Sequence, residues 1–167
     1  QDFSQAFDWY MKAAEAGLPA AMGNVASMYR LGEGVEQDYG AAMDWFRKAA
    51  DNDYAYALYA IGELYLGGHG VAKDATEAAA WYQRASDAGE PNGHWALALR
   101  YLYGDGVAMD SRKAGDLAYL ALVNGLDIAL DELKEIGSAE TSPNFRRRIQ
   151  ELLKSDGFYK GTVDGSF

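Results

Sequence analysis

The sequence predicts an all-α fold, a right-handed α-solenoid of antiparallel helix pairs, on two observations. The first is an internal repeat, because the segment that begins at Ala21 recurs without gaps at Ala57 and Gly93, a step of 36 residues each time. The second is the helical spacing of apolar residues in two segments of each copy. A single helix pair cannot bury its own apolar face, so successive pairs must stack into a superhelix.

The first helix of each copy is expected near residues 20–31, 56–67 and 92–103. Each of these segments ends at two glycines separated by one residue, followed by valine. Glycine suits a helix end with left-handed backbone, which a Cβ disfavours. We therefore expect positive φ angles at the second glycine of each pair, which is Gly34, Gly70 or Gly106.

The second helix of each copy is expected near residues 39–52, 75–88 and 111–124. Asp38, Asp74 and Asp110 precede these segments and suit the N-cap position. The first two carry an aromatic pair, Trp45-Phe46 and Trp81-Tyr82, followed by small residues. We expect Trp45 and Trp81 to be buried between helices. Another second helix should precede the three copies, and a last first helix should follow near residues 127–136.

The repeat resembles the Sel1-like repeat, a relative of the tetratricopeptide repeat. The residues that carry the resemblance are Val25-Ala26-x-x-Tyr29-x-x-Gly32-x-Gly34-Val35-x-x-Asp38, then Ala42-x-x-Trp45-x-x-Lys48-Ala49-Ala50, and their copies. The last copy departs from the pattern, since Leu117 and Ala118 replace the aromatic pair. The resemblance implies a TPR-like scaffold for protein–protein interaction, with no catalytic activity.

The C-terminal segment has a different character, and the sequence divides into a repeat array at 1–136, a linker at 137–142 and a helix and turn at 143–167. Ile149-Gln150-Glu151-Leu152-Leu153 with Gly157-Phe158-Tyr159-x-Gly161-x-Val163-Asp164-Gly165 resembles the start of a peptidoglycan-binding domain. Repeats that lead into such a segment resemble the periplasmic part of the PodJ-type family of polar localisation factors. The resemblance implies a periplasmic location in the bacterial cell envelope. The start at Gln1 in mid-pattern leads us to expect a piece of a larger, membrane-anchored protein.

The composition argues against several other functions. A net charge of −10 is unsuited to nucleic acid, and no apolar run is long enough to span a membrane. Without cysteine and with only His69 and His94, no metal site or cofactor is expected. Asp131, Glu132 and Glu135 could serve a glycan-cleaving enzyme, but a solvated helix face is the favoured interpretation of that cluster.

The expected binding surface is the inner wall of the superhelix, which the first helices line. Its positions read Gly23, Ser27 and Arg30, then Tyr59, Glu63 and Leu66, then Trp95, Leu99 and Leu102, so that apolar character increases along the chain. The predicted partner-binding residues are Tyr56, Tyr59, Trp95, Leu99, Leu102 and Tyr103. The partner is a protein or peptide, or alternatively peptidoglycan bound through the C-terminal segment. A competing hypothesis is that Phe158, Tyr159 and Phe167 fold back and cover this wall.

Overall fold

The computed structural model describes residues 2–126, 143–158 and 160–163, which form eight helices and no strand. In chain order these are α1 Phe3–Glu15, α2 Pro19–Leu31, α3 Tyr39–Ala50, α4 Ala55–Gly67, α5 Ala75–Asp87, α6 Pro91–Tyr103, α7 Ser111–Val123 and α8 Pro143–Ser155. The all-α prediction is confirmed, and the six helices of the three copies lie where they were expected. The helix predicted near 127–136 and the linker at 137–142 lie outside the described residues. None of the described helices has the length and apolar character that crossing a membrane requires.

The helices form three antiparallel pairs, α2–α3, α4–α5 and α6–α7, with α1 as an additional second helix at the N-terminal end. Helices α3 and α5 each pack against the first helix of their own pair and against the first helix of the next pair, and α1 packs against α2 in the same way. The contacts are lined by small residues, since Ala42, Ala49, Ala78 and Ala85 are completely buried. Alanines at these contacts let the helix axes approach closely, and the core therefore continues from one pair to the next.

The prediction that Trp45 and Trp81 are buried between helices is wrong. The completely buried aromatic residues are their neighbours Phe46 and Tyr82, whereas both tryptophans are half-buried. Adjacent residues on a helix point about 100° apart, so only one of the two can face the partner helix. The tryptophan ring instead lies under a cation three residues later, with Lys48 Nζ 4.0 Å from the Trp45 centroid. Arg84 lies 4.1 Å over Trp81 in the same way.

The glycine turns fit the prediction and show why glycine is required. The φ angles of Gly34, Gly70 and Gly106 are 74°, 72° and 79°. A Cβ on Gly106 would lie 2.1 Å from the carbonyl oxygen of Ala75, at the start of α5. Each turn therefore presses directly on the first turn of the preceding second helix. The predicted aspartate caps are also present, and Asp74 accepts from the backbone N–H groups of Thr76 and Glu77.

Helix α8 packs against α7 and shares the core of the repeats. Its Phe145 and Ile149 are completely buried in the same cluster as Leu97 and Ala118. The helices approach closely at Gly115, where a Cβ would lie 2.8 Å from Arg148 Cβ. The start of the segment predicted at 143–167 is thus a structural part of the array.

We predict that Gly106→Ala destabilises the protein more than Gly104→Ala, by at least about 1 kcal/mol, because only the first substitution forces a steric overlap. Both glycines have positive φ, but a Cβ on Gly104 would meet its nearest atom, Met109 Cβ, at an ordinary 3.5 Å. Gly104→Ala therefore serves as the control for backbone strain alone. Urea unfolding of the two variants measures the difference, and equal losses would show that the turn does not press on α5.

Candidate functional site

The predicted binding residues lie on two first helices that contact each other, α4 and α6. Tyr103 is 49% exposed, and the other accessible members are half-buried: Tyr56, Tyr59, Trp95 and Leu99. Half-buried side chains of this size are held in place by the core and still offer apolar surface. These five residues, hereafter the inner-wall patch, remain a candidate surface.

Leu102 does not belong to this surface, and its assignment as a binding residue was wrong. It is only 1% exposed and lies in the core cluster that includes Phe145 and Ile149 of α8. The equivalent residue one copy earlier, Leu66, is half-buried. This repeat position is therefore part of the core in the last copy, whereas it stays partly accessible in the preceding copy.

Neighbouring rings form a row of four tyrosines, Tyr54, Tyr56, Tyr59 and Tyr82. Tyr56 and Tyr59 also belong to the inner-wall patch, and only these two were predicted as binding residues. The ring centroids of Tyr54 and Tyr56 are 6.0 Å apart, those of Tyr56 and Tyr59 are 5.7 Å apart, and those of Tyr59 and Tyr82 are 5.9 Å apart. The row reaches α2 at Gly23, where a Cβ would lie 2.4 Å from Tyr54 Cε1. This tyrosine row therefore connects three helices, α2, α4 and α5.

Three phenol groups of the tyrosine row have raised pKa values, and that of Tyr82 also donates a hydrogen bond. Tyr82 donates to Glu63 Oε1 at 2.5 Å, and burial together with this bond raises the pKa of Tyr82 far above its ordinary value. Burial, with the nearby carboxylate of Glu63, raises the pKa of Tyr59 to about 12. Burial is also the main cause of the raised pKa of Tyr54. The phenol groups of these three tyrosines therefore stay protonated at neutral pH, where they serve as fixed polar groups and not as acids or bases.

A cavity of about 330 Å³ lies between α2 and α4, and Glu63 in its lining accepts the hydrogen bond from Tyr82 of the tyrosine row. Its lining includes three of the predicted inner-wall positions, Arg30, Glu63 and Leu66, so one cation and one carboxylate face the same space. The far side is formed by Tyr39 and His69, whose rings stack 4.7 Å apart. The inner wall thus offers polar groups at α2 and α4 and apolar side chains at α6, which suits a peptide with both kinds of side chain.

In the described part of the chain, the residues considered for metal binding or catalysis do not form such a site. No cluster of three or more potential metal ligands occurs among the described residues. A serine–histidine contact exists, with Ser86 Oγ 2.7 Å from His94 Nδ1, but both residues are more than 90% buried between α5 and α6. Asp131, Glu132 and Glu135 lie outside the described residues. Phe158 is 74% exposed and so does not cover the inner wall, while Tyr159 and Phe167 are not described.

Comparison with known proteins shows a repeat family over most of the chain. The family model of the Sel1 repeat matches residues 1–18, 19–54, 55–90 and 91–122. A solved Sel1 repeat protein from Oxalobacter formigenes is 32% identical with a TM-score of 0.71, and the match covers 93% of this chain and 65% of that one. The chain thus spans less than two thirds of that relative's length.

Two further solved structures are similar. One is c5321, a protective antigen of uropathogenic Escherichia coli with an SLR fold, at 27% identity and a TM-score of 0.68 over 93% of this chain and 35% of that one. The other is cysteine rich protein B of Helicobacter pylori, at 22% identity and a TM-score of 0.60 over 79% of this chain and 92% of that one. The last comparison supports the fold alone. No curated protein matches the chain.

We predict that His94 makes the stability of the fold depend on pH. Burial lowers the pKa of His94, against the opposing effect of Glu90 and Asp87, so the unfolded chain binds a proton more readily than the folded one. The free energy of unfolding should therefore decrease as the pH falls below about 6.5, the ordinary histidine pKa.

Urea unfolding between pH 8 and pH 5.5 measures this dependence. His94→Gln should reduce the slope of stability against pH, because it removes the buried imidazole. Equal slopes in the wild type and His94→Gln would contradict the assignment.

Proposed function

Because the chain belongs to the Sel1 repeat family, whose members are generally non-catalytic interaction modules, we propose that it binds an extended segment of a partner protein along α2, α4 and α6. We further propose that it acts as a scaffold in the periplasm of a bacterial cell envelope, as part of a polar localisation factor. The inner-wall patch supplies the contact area, and Arg30 with Glu63 fixes the direction of the bound segment.

The observation that carries the proposal is the placement of large aromatic side chains on first helices. Tyr56, Tyr59 and Trp95 are packed against the core clusters and remain partly accessible. Aromatic rings of this kind lose little conformational freedom on binding, which is why tyrosine and tryptophan dominate interface hot spots. The phenol and carboxylate groups beside them give a bound peptide defined hydrogen-bond partners.

The envelope location is supported by sequence features. The resemblance of the C-terminal segment to a peptidoglycan-binding domain favours a position near the cell wall, and the absence of cysteine is compatible with an oxidising compartment. A reporter that is active only after export, fused behind this segment within the whole protein and not to the segment alone, tests this part of the proposal.

We predict that Trp95→Ala weakens peptide binding about thirtyfold, because truncating a hot-spot tryptophan costs roughly 2 kcal/mol or more. The ligands are peptides selected from a random library on the wild-type protein, and the readout is the dissociation constant. Trp9→Ala is the matched control, since Trp9 lies on α1 outside the inner wall and is 70% exposed.

A second variant, Tyr56→Ala, separates binding from folding, because Trp95 also contacts the core. Thermal unfolding must show that each variant is folded at the assay temperature. Retained affinity in both Trp95→Ala and Tyr56→Ala, with Trp9→Ala equally neutral, would mean that the inner wall is not the binding surface.

Direct binding of peptidoglycan is the second candidate, and the exposed ring of Phe158 after the turn at Gly157 favours it. Deleting residues 143–167 would remove Phe145 and Ile149 from the core, so a surface substitution is the cleaner test. Cosedimentation of purified sacculi with the wild type, lost in Phe158→Ala and retained in Trp95→Ala, would favour this function over peptide binding.

A further inference from the structure

A second cavity, of about 610 Å³, lies between the start of α7 and α8, away from the inner-wall patch. Three arginines line it, Arg112 from α7 and Arg147 and Arg148 from α8. The whole chain has a net charge of −10, so three guanidinium groups around one cavity depart from the general composition. The cavity volume falls within the range of known ligand sites and exceeds the space that one small oxyanion needs.

The carboxylates of this lining are already engaged. Asp110 caps α7 by accepting from the backbone N–H groups of Arg112 and Lys113 at 3.1 and 3.0 Å. Glu151 accepts from Arg148 at 3.3 Å, and Arg148 also donates to Asp116 at 2.6 Å. Arg148 therefore has its charge balanced within the protein.

The side chains of Arg112 and Arg147, in contrast, make no ion pair with any residue of the described ranges, and both are exposed. The helices that carry them are fixed relative to each other by the close approach at Gly115 and by the buried Phe145. Within the described part of the chain, two guanidinium groups without an ion pair are thus presented from two helices that are fixed relative to each other. Arginine is suited to this arrangement, because its planar group binds carboxylates through two parallel hydrogen bonds.

We propose that this cavity binds an acidic segment of a partner protein, with carboxylates paired to Arg112 and Arg147. Charge complementarity selects the ligand, since the lining has two cations to pair and its carboxylates are occupied. The size favours a peptide over a single small anion, because about 610 Å³ is more than one such anion fills, and Met109, 68% exposed, adds an apolar contact to the lining. The site is separate from the inner wall, so a negative result in the test below would not affect the proposal that a partner segment binds along the inner wall.

The test uses a fluorescent peptide of alternating glutamate and glycine and the same peptide with glutamine in place of glutamate, measured by anisotropy with the full chain. The glutamate peptide should bind and the glutamine peptide should not, and binding should weaken with added salt, because exposed charges are screened. The double variant R112Q/R147Q should bind at least about tenfold more weakly, as expected for losing hydrogen bonds to charged groups.

Arg47→Gln is the control, since Arg47 is exposed on α3 at a distance from the cavity in the fold. It should leave binding unchanged, and R112Q/R147Q should keep the wild-type melting temperature. Equal binding of both peptides, or unchanged binding by the double variant, would overturn the proposal. Binding of inorganic pyrophosphate without binding of the glutamate peptide would also overturn it, and would make this a small-anion site.

Discussion

In the α2–α3 and α4–α5 pairs, one large aromatic ring of the second helix packs against small residues of the first, and the spacing of the array depends on this fit. Phe46 and Tyr82 are completely buried, and Tyr82 lies over Gly62, where a Cβ would come within 2.5 Å of its ring. Helices α4 and α5 can approach so closely only because Gly62 has no side chain. The tight pairs in turn bring the glycine turns onto the preceding helices, as Gly106 shows.

The same packing connects the core to the candidate binding surface. The ring of Tyr82 belongs to the core, while its hydroxyl donates to Glu63 on the inner wall. Tyr59 belongs to both the tyrosine row and the inner-wall patch, and its ring lies next to that of Tyr82. A ligand that contacts Glu63 or Tyr59 therefore meets groups whose positions are set by the stacking of the pairs. Such preorganised groups lose little freedom on binding, which is favourable in an interaction scaffold.

The parts of the structure that repeat could be predicted from the sequence, and the parts that do not repeat could not. The helices, the positive φ angles and the aspartate caps follow from local patterns present in every copy. Phe46 was not identified from the sequence as the buried ring in place of Trp45, because both residues are apolar and differ only in the direction in which they point from the helix. Lys48, three residues after Trp45, was the signal that Trp45 faces the solvent side. The burial of Leu102 depends on Phe145 and Ile149 of α8, distant in sequence, for which the repeat gives no signal. Tyr54 was also missed, although Gly23 in the helix opposite leaves the space that its ring fills.

The second aromatic position, not the tryptophan, holds the α2–α3 and α4–α5 pairs together. Chemical unfolding of Phe46→Ala and Trp45→Ala tests it directly. The loss for Phe46→Ala should be about 3–5 kcal/mol, as for other large aromatic residues removed from cores. Trp45→Ala should cost less than half as much, because its ring is only partly buried at the margin of the core and its contact with Lys48 contributes only about 0.5–1 kcal/mol. An equal or greater loss for Trp45→Ala would contradict the account.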